Sequence, residues 1–390
     1  MTPRPTLGQI LRPFLADPSS ARMLRLCPHQ WKTLHALARC RTGALGGQAF
    51  YCPHCRREHV VAHSCRNRHC PHCQGAAAVD WLAQQAQTLL PVPYFHLVFT
   101  LPHALNGLLR QNRAVLFKLL FDAASQTLLA FGEQRLGAQL GITAVLHTWS
   151  QTLGDHYHLH GIVTGGGVAR DQTRWVHTAP YYLFPVRALS RMFRGRYLAG
   201  LNELFTAGKL EFHGQLQETA SPAKFAALLR QATRSEWVVY AKRPFAGPAQ
   251  VLAYLSRYTH RVAISPRRLL ATEGTTVTFA YKDYADGSRQ KRMTLATPEF
   301  VRRFCLHVLP ERFVKIRHYG LLGNRRKQTR LAQARALLGA PPVAQPKPLP
   351  ELLEAPTPER APASCPFCQR PGLVRLREVS PRKITPFDSS

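Results

Sequence analysis

Two C-x-x-C knuckles, Cys52/Cys55 and Cys70/Cys73, stand fourteen residues apart in a stretch almost without aliphatic side chains. A segment like 40–75, rich in Cys, His and Arg, cannot bury enough apolar surface to hold itself and needs a cross-link. Seven of the ten cysteines lie between residues 27 and 73. The N-terminal MTPRPTLGQILRPF lacks the apolar core and cleavage site of a signal peptide, so an intracellular location is expected, where clustered thiols argue for metal thiolates over disulfides. The spacing predicts a structural Zn²⁺ on Cys52, Cys55, Cys70 and Cys73. SCRNRHCPHC also offers Cys65 and His69; with Cys40 and one more ligand these could hold a second zinc. With all four positions filled, such a knuckle binds and does not catalyse. CPFC at 365–368 is half a site, able to complete another site or to dimerise; a nonfunctional tail is an equal reading.

The charge narrows the partner. Lys and Arg number 52 against 21 acids, a net charge of +31. Such an excess repels itself unless a polyanion is present, which points to nucleic acid. The bases are spread along the chain, and no run approaches the ~18 apolar residues of a membrane span. The length, 390 residues, suits two or three domains. A short helical lead-in (1–39) precedes the cysteine segment (40–75) and a connecting helix (76–92). Strands are expected at YFHLVFTLP (94–102), ITAVLHTWSQTL (142–153) and HYHLHGIVTGG (156–166), and at EWVVYAKRPF (236–245). Helices are expected over 112–134, through much of 186–234, and at AQVLAYLSRYTHRVAI. TVTFAYKDYADGSRQKRMTL reads as a hairpin around DGS. Beyond about residue 323 the chain turns basic and then Pro-rich, a linker composition.

Two patterns carry chemistry. His156, His158 and His160 alternate, and a strand sets i, i+2 and i+4 on one face. Two neutral imidazoles leave a divalent metal with open positions for work on a phosphate oxygen; alone, H-x-H more often marks solvated or satisfied histidines. Tyr254 and Tyr258 lie four apart and share a helix face. Apolar neighbours make a core stripe the ordinary reading, but the same helix carries Arg257, His260 and Arg261. A tyrosine can be a covalent nucleophile. Its phenolate can take a 5′ phosphate and release a 3′ hydroxyl, conserving the bond energy, and two tyrosines permit two sequential transfers. Gly165, Gly166 and Gly167 would let backbone approach a nucleic acid closely; an ordinary loop is the equal alternative.

Taken in order, SCRNRHCPHCQ, H-hydrophobic-H and Y-x-x-x-Y resemble the rolling-circle transposases of the insertion-sequence-ninety-one family, members of the HUH endonuclease superfamily. CRTGALGG (40–47), YFHLVFTLPH (94–103), HTWSQTL (147–153), HGIVTGGG (160–167), YLSRYTHRVAIS (254–265) and IRHYGLL (316–322) resemble the same family. The resemblance covers roughly residues 25–323. It implies an α+β fold, an HUH-type antiparallel sheet with flanking helices preceded by a small zinc-binding domain. The domains would be 40–75 for zinc, 93–323 for catalysis, and 324–390 for a basic, Pro-rich tail with the CPFC knuckle. It implies metal ligands at His158 and His160 for Mg²⁺ or Mn²⁺, nucleophiles at Tyr254 and Tyr258, and cleavage and rejoining of single-stranded DNA at element ends. It gives no third metal ligand; His96, Gln151 and His156 are candidates, with His96 or Gln151 preferred. If one tyrosine acts alone, Tyr254 is favoured. Arg66, Arg68, Arg257 and Arg261 are the expected DNA contacts. Basic side chains at 187, 191, 194, 196, 267, 268 and 325–327 are further candidates, with Trp175, Tyr181 and Tyr182 to stack bases. The partners are transposon-end and target DNA, in a bacterial cytoplasm and associated with the nucleoid. A plasmid relaxase or replication initiator would share the metal–tyrosine chemistry; a non-catalytic zinc-dependent DNA-binding regulator would not need the tyrosines.

Overall fold

The computed structural model describes residues 4–242, 244–245, 250–251, 254, 260–341 and 364–381. Its strands are β1 (Gly47–Tyr51), β2 (Glu58–Ala62), β3 (Tyr94–Thr100), β4 (Ala138–Trp149), β5 (Asp155–Ala169), β6 (Trp175–His177), β7 (Val239–Ala241), β8 (Leu269–Glu273), β9 (Thr276–Asp283), β10 (Arg289–Ala296), β11 (Ile316–Gly320) and β12 (Val374–Val379). The largest sheet is antiparallel, in the order β11-β4-β5-β3-β7, with β6 pairing onto β5. The fold is α+β.

Strand parity divides this sheet into two faces. Phe95, Leu97 and Phe99 of β3, Leu140, Ile142, Ala144 and Leu146 of β4, and Tyr157, Leu159 and Val163 of β5 point one way. Helices Arg113–Phe131 and Val186–Thr206 cover that face, burying Leu120, Phe121, Phe193 and Tyr197 in the main core. Arg113–Leu136 is long and apolar enough to cross a membrane by length alone. Its apolar residues instead pack into this core. The opposite face carries the histidines of β3, β4 and β5.

Two connections differ from the sequence reading. The N-terminal helices Leu7–Ala16 and Pro28–Ala38 are no detached lead-in. They pack with β8, β9 and helix Thr297–Cys305 in a second core that includes Cys70 and Cys73, and Gln30 donates to the Cys305 carbonyl at 2.8 Å. Residues 324–390 are not one tail either. Helix Lys327–Leu337 buries Leu331 and Ala334 in a third core with Tyr94 and Ile162. β12 returns to the N-terminal module as the outer strand of a β12-β1-β2 sheet.

The three glycines of β5 serve the fold. They lie inside the strand, buried, where side chains would strike neighbouring backbone. A Cβ on Gly165 would lie 2.8 Å from the Pro93 carbonyl oxygen, and one on Gly167 2.3 Å from that of Gln139. Gly166 sits at φ +144° with Trp175 against it. Their close approach is to the protein's own chain. Trp175 is buried there and cannot stack on bases, whereas Tyr181 and Tyr182 are exposed.

Candidate active site and cysteine clusters

The antiparallel pairing explains how the imidazoles meet. His158 lies opposite Thr100 and His147, and His160 opposite Val98 and Val145, while His96 pairs with Ile162. All four histidines therefore share the face away from the main core. His147, His158 and His160 each offer a nitrogen, and these nitrogens lie within 4.8 Å of one another. His158 Nδ1 donates to the His156 carbonyl at 3.0 Å, which turns its Nε2 inward to 3.2 Å from His160 Nε2. Burial, with neighbouring positive groups, lowers His160 to about 3 and His158 well below the ordinary value. The rings are then neutral near pH 7, with lone pairs free to ligate. The donor set fits a divalent cation.

His147 is the third imidazole of this group, and the sequence reading had not singled it out. Of the two preferred third ligands, Gln151 lies away from the cluster and His96 stands beside it. Gln151 sits in the turn after β4, its amide 3.4 Å from the Tyr284 hydroxyl and its carbonyl held by Arg268. That turn lies beyond the strand end and does not reach the cluster. His96 stands on the other side of His160, Nε2 to Nδ1 at 3.0 Å, and it also meets the Tyr254 hydroxyl. The Tyr254 hydroxyl is 2.6 Å from His96 Nε2 and 3.3 Å from His160 Nδ1. Burial and the Lys242 charge lower His96 to about 3 as well, leaving a neutral acceptor. Gln250, Val251 and Tyr254 are helical, and Val251 is buried in the third core beside the sheet. The His156 ring lies tilted, 5.9 Å from that of His103, toward the end of the row. Tyr258 and Arg257 lie outside the described residues.

Cations gather next to the cluster. Arg68, Arg261 and Lys315 line one small cavity with Thr148 and Trp149. Trp149 stacks on His147 at 4.6 Å, and the Lys315 ammonium lies 5.4 Å from the Trp149 ring centre. Lys315 donates to the Arg261 carbonyl at 2.7 Å, and Arg68 to that of Phe313 at 2.6 Å. Burial, with Arg68 nearby, pushes the Lys315 ammonium down to about 7. Arg66 is apart from these, exposed, at φ 50° on its knuckle.

The cysteines assemble differently from the expected grouping. Cys52, Cys55, Cys70 and Cys73 do not form one site. Cys70 and Cys73 join Cys40 and Cys65, with Cys40–Cys73, Cys65–Cys73 and Cys70–Cys40 sulfur separations of 3.7 Å. Cys52 and Cys55 face Cys365 and Cys368. The reason is the β1–β2 hairpin, whose turn holds Cys52 and Cys55 at the far end of a ribbon, away from the helix that begins at Cys73. His69 joins neither group; it accepts the Leu309 backbone N–H at 3.3 Å, a link to the catalytic body. Within the first group, thiol hydrogen bonds draw Cys40 down to about 7, while Cys65 and Cys70 are pushed up by their sulfur neighbours. Four thiolates this close repel unless a cation sits among them. A tetrahedron of sulfurs about 2.3 Å from zinc has edges of about 3.8 Å, close to the spacing observed.

Comparison with known proteins matches residues 141–330 to the family described as "Putative transposase" and residues 11–101 to the one described as "Transposase zinc-binding domain". Among curated relatives, "Putative transposase y4qJ" of Sinorhizobium fredii (strain NBRC 101917 / NGR234) is 44% identical over 379 residues, 95% of each chain. "Transposase for insertion sequence element IS801" of Pseudomonas savastanoi pv. phaseolicola is 30% identical over 333 residues, 83% of this chain and 77% of that one. No solved structure matches.

Proposed function

The chain belongs to the IS91 family of transposases, and on that premise we propose that it cuts and rejoins single-stranded DNA at element ends through a phosphotyrosine on Tyr254. The observation that carries this reading is the Tyr254 hydroxyl at 2.6 Å from His96 and 3.3 Å from His160, on the sheet face that holds His147 and His158.

His147, His158 and His160 would hold a divalent ion, Mg²⁺ or Mn²⁺, which when bound polarises the scissile phosphate and offsets charge on its oxygens. His96 accepts the phenol proton as a hydrogen bond and fixes the aim of the oxygen. The phenol oxygen attacks phosphorus, forming the phosphotyrosine ester as the bond to the 3′ oxygen breaks. The phenol proton is lost to water as the ester forms, and a proton from water completes the departing 3′ oxygen as a free hydroxyl. The reverse attack by another 3′ hydroxyl joins a new strand and restores the phenol. Arg68, Arg261 and Lys315 lie where they can pair with flanking phosphates. Tyr258, four residues on in the sequence, would serve a second transfer. Cys40, Cys65, Cys70 and Cys73 would bind a structural zinc that shapes the segment presenting Arg68.

The test mixes purified protein with single-stranded oligonucleotides carrying the element's own ends and Mn²⁺, and resolves covalent adducts on denaturing gels with peptide mass mapping. The expected adduct is on Tyr254, lost in Tyr254→Phe and in chelator. An adduct that persists at full yield in a Tyr254→Phe, Tyr258→Phe double variant would refute the proposal.

A further inference from the structure

Cys365-Pro-Phe-Cys368 has no role in the chemistry above, yet its partners are specific. Cys368 Sγ lies 3.6 Å from Cys52 Sγ, and Cys365 Sγ 3.6 Å from Cys55 Sγ. All four sulfurs fall within 4.8 Å of one another. A disulfide would need about 2.05 Å; the spacing is near the edge of a zinc–thiolate tetrahedron, about 3.8 Å.

The backbone repeats as well. The Cys52 N–H donates to the Arg57 carbonyl at 3.0 Å, and the Arg56 N–H donates to the Cys52 carbonyl at 2.8 Å. The Cys365 N–H donates to the Arg370 carbonyl at 2.8 Å, and the Gln369 N–H to the Cys365 carbonyl at 2.8 Å. Arg56 and Gln369 take the same left-handed turn, at φ 56° and 57°. Two knuckles of one geometry therefore face each other, one from each end of the chain. Around them β12 pairs with β1, Arg377 forms an ion pair with Glu58 at 3.1 Å, and the Phe367 ring packs edge-on against His59 and under Arg57. Gly46, at φ +78°, admits the Val379 carbonyl where a Cβ would be 2.6 Å away.

We propose that Cys52, Cys55, Cys365 and Cys368 bind a second zinc ion, which fastens segment 364–381 to the N-terminal ribbon and so closes the chain end to end. In the sequence, residues 342–363 then join helix Lys327–Leu337 to a strand that belongs to the first module. The two zinc sites differ in kind. The Cys40 site draws its ligands from residues 40–73, whereas this one forms only when segment 364–381 has returned, so metal binding here reports that return.

Zinc content of the purified full chain, by native mass spectrometry with metal analysis, tests this. Two ions per chain are expected, falling to one in a Cys365→Ser, Cys368→Ser double variant. The remaining ion on the Cys40 site reports that the variant is still folded. Cys365→His, which keeps a donor, should restore two. In a second measurement a protease site is placed between residues 350 and 351. After cutting, the fragment carrying 364–381 should co-elute with the body and should separate in the double serine variant. One zinc in the wild type, two in the double serine variant, a mass deficit of two disulfides at these four cysteines, or separation of the cut wild-type fragment would each overturn the assignment.

Discussion

His147 owes its place beside His158 to one extra residue in β5. Trp149 pairs with Asp155, and the register shifts between His147 and Trp149, so His147 meets His158 and not Tyr157. Without that bulge the pairing counted out from the turn would send His147 to the helix-covered face. The H-x-H pair was legible because parity within one strand is local. The third imidazole was not, because a bulge leaves no mark in composition or spacing. A testable difference follows. His147→Ala should lower Mn²⁺ affinity by at least about tenfold and take the DNA adduct with it, because losing one of three ligands leaves an incomplete site. Gln151→Ala should leave both near wild type. Calorimetric titration with Mn²⁺, set beside adduct yield, checks the pair; equal loss in both variants would return Gln151 to the site. His96→Ala should spare Mn²⁺ binding yet cut the adduct, since its neighbour is the Tyr254 hydroxyl.

At the level of elements, strands β3, β4, β5, β9 and β10 and helix Arg113–Phe131 lie close to where periodicity predicted them. β-branched and aromatic runs, helical spacing and the DGS turn are local signals. EWVVYAKRPF reduces to the three-residue β7 at the sheet edge, paired with β3, and a bridge from Phe245 to Tyr94. The cysteine grouping escaped because ligand choice was settled by sheet register and by a second knuckle more than 300 residues downstream. The β5 glycines escaped because their crowding is tertiary. That crowding gives two opposite expectations. Gly167→Ala forces a methyl into the Gln139 carbonyl and should cost about 1–3 kcal/mol, lowering the melting temperature. Gly195, in helix Val186–Thr206, is exposed and has nothing within 4 Å of an added Cβ. Gly195→Ala should be neutral or stabilise by about 0.5–1 kcal/mol through reduced backbone freedom in the unfolded chain. Thermal melts of the two variants beside the wild type read both signs, and equal destabilisation would show that the strand contacts do not set the difference.

Over the whole molecule the net charge of +31 has to be met by a polyanion. Much of this charge is free of acidic partners, because the chain has 31 more basic than acidic side chains. The cavity beside the histidines gathers Arg68 from the zinc segment, Arg261 from the stretch after the Tyr254 helix, and Lys315 from just before β11. Three distant parts of the chain thus place cations around one small cavity, so binding and cutting should be coupled through the same residues. If about six to eight phosphates of single-stranded DNA are neutralised, the logarithm of the binding constant should fall with the logarithm of salt at a slope of about −4 to −6. Raising salt from about 50 to about 200 mM would then weaken binding by roughly 250- to 4,000-fold. Lys315→Met should flatten that slope by about 0.7 if Lys315 contacts a phosphate. It should also slow adduct formation more than it weakens binding, because its charge lies next to the reacting face. Fluorescence anisotropy over a salt series, with adduct rates at saturating DNA, separates the two effects. A Lys315→Met slope identical to wild type would remove this lysine from the phosphate path and leave the basic surface as a general attractor alone.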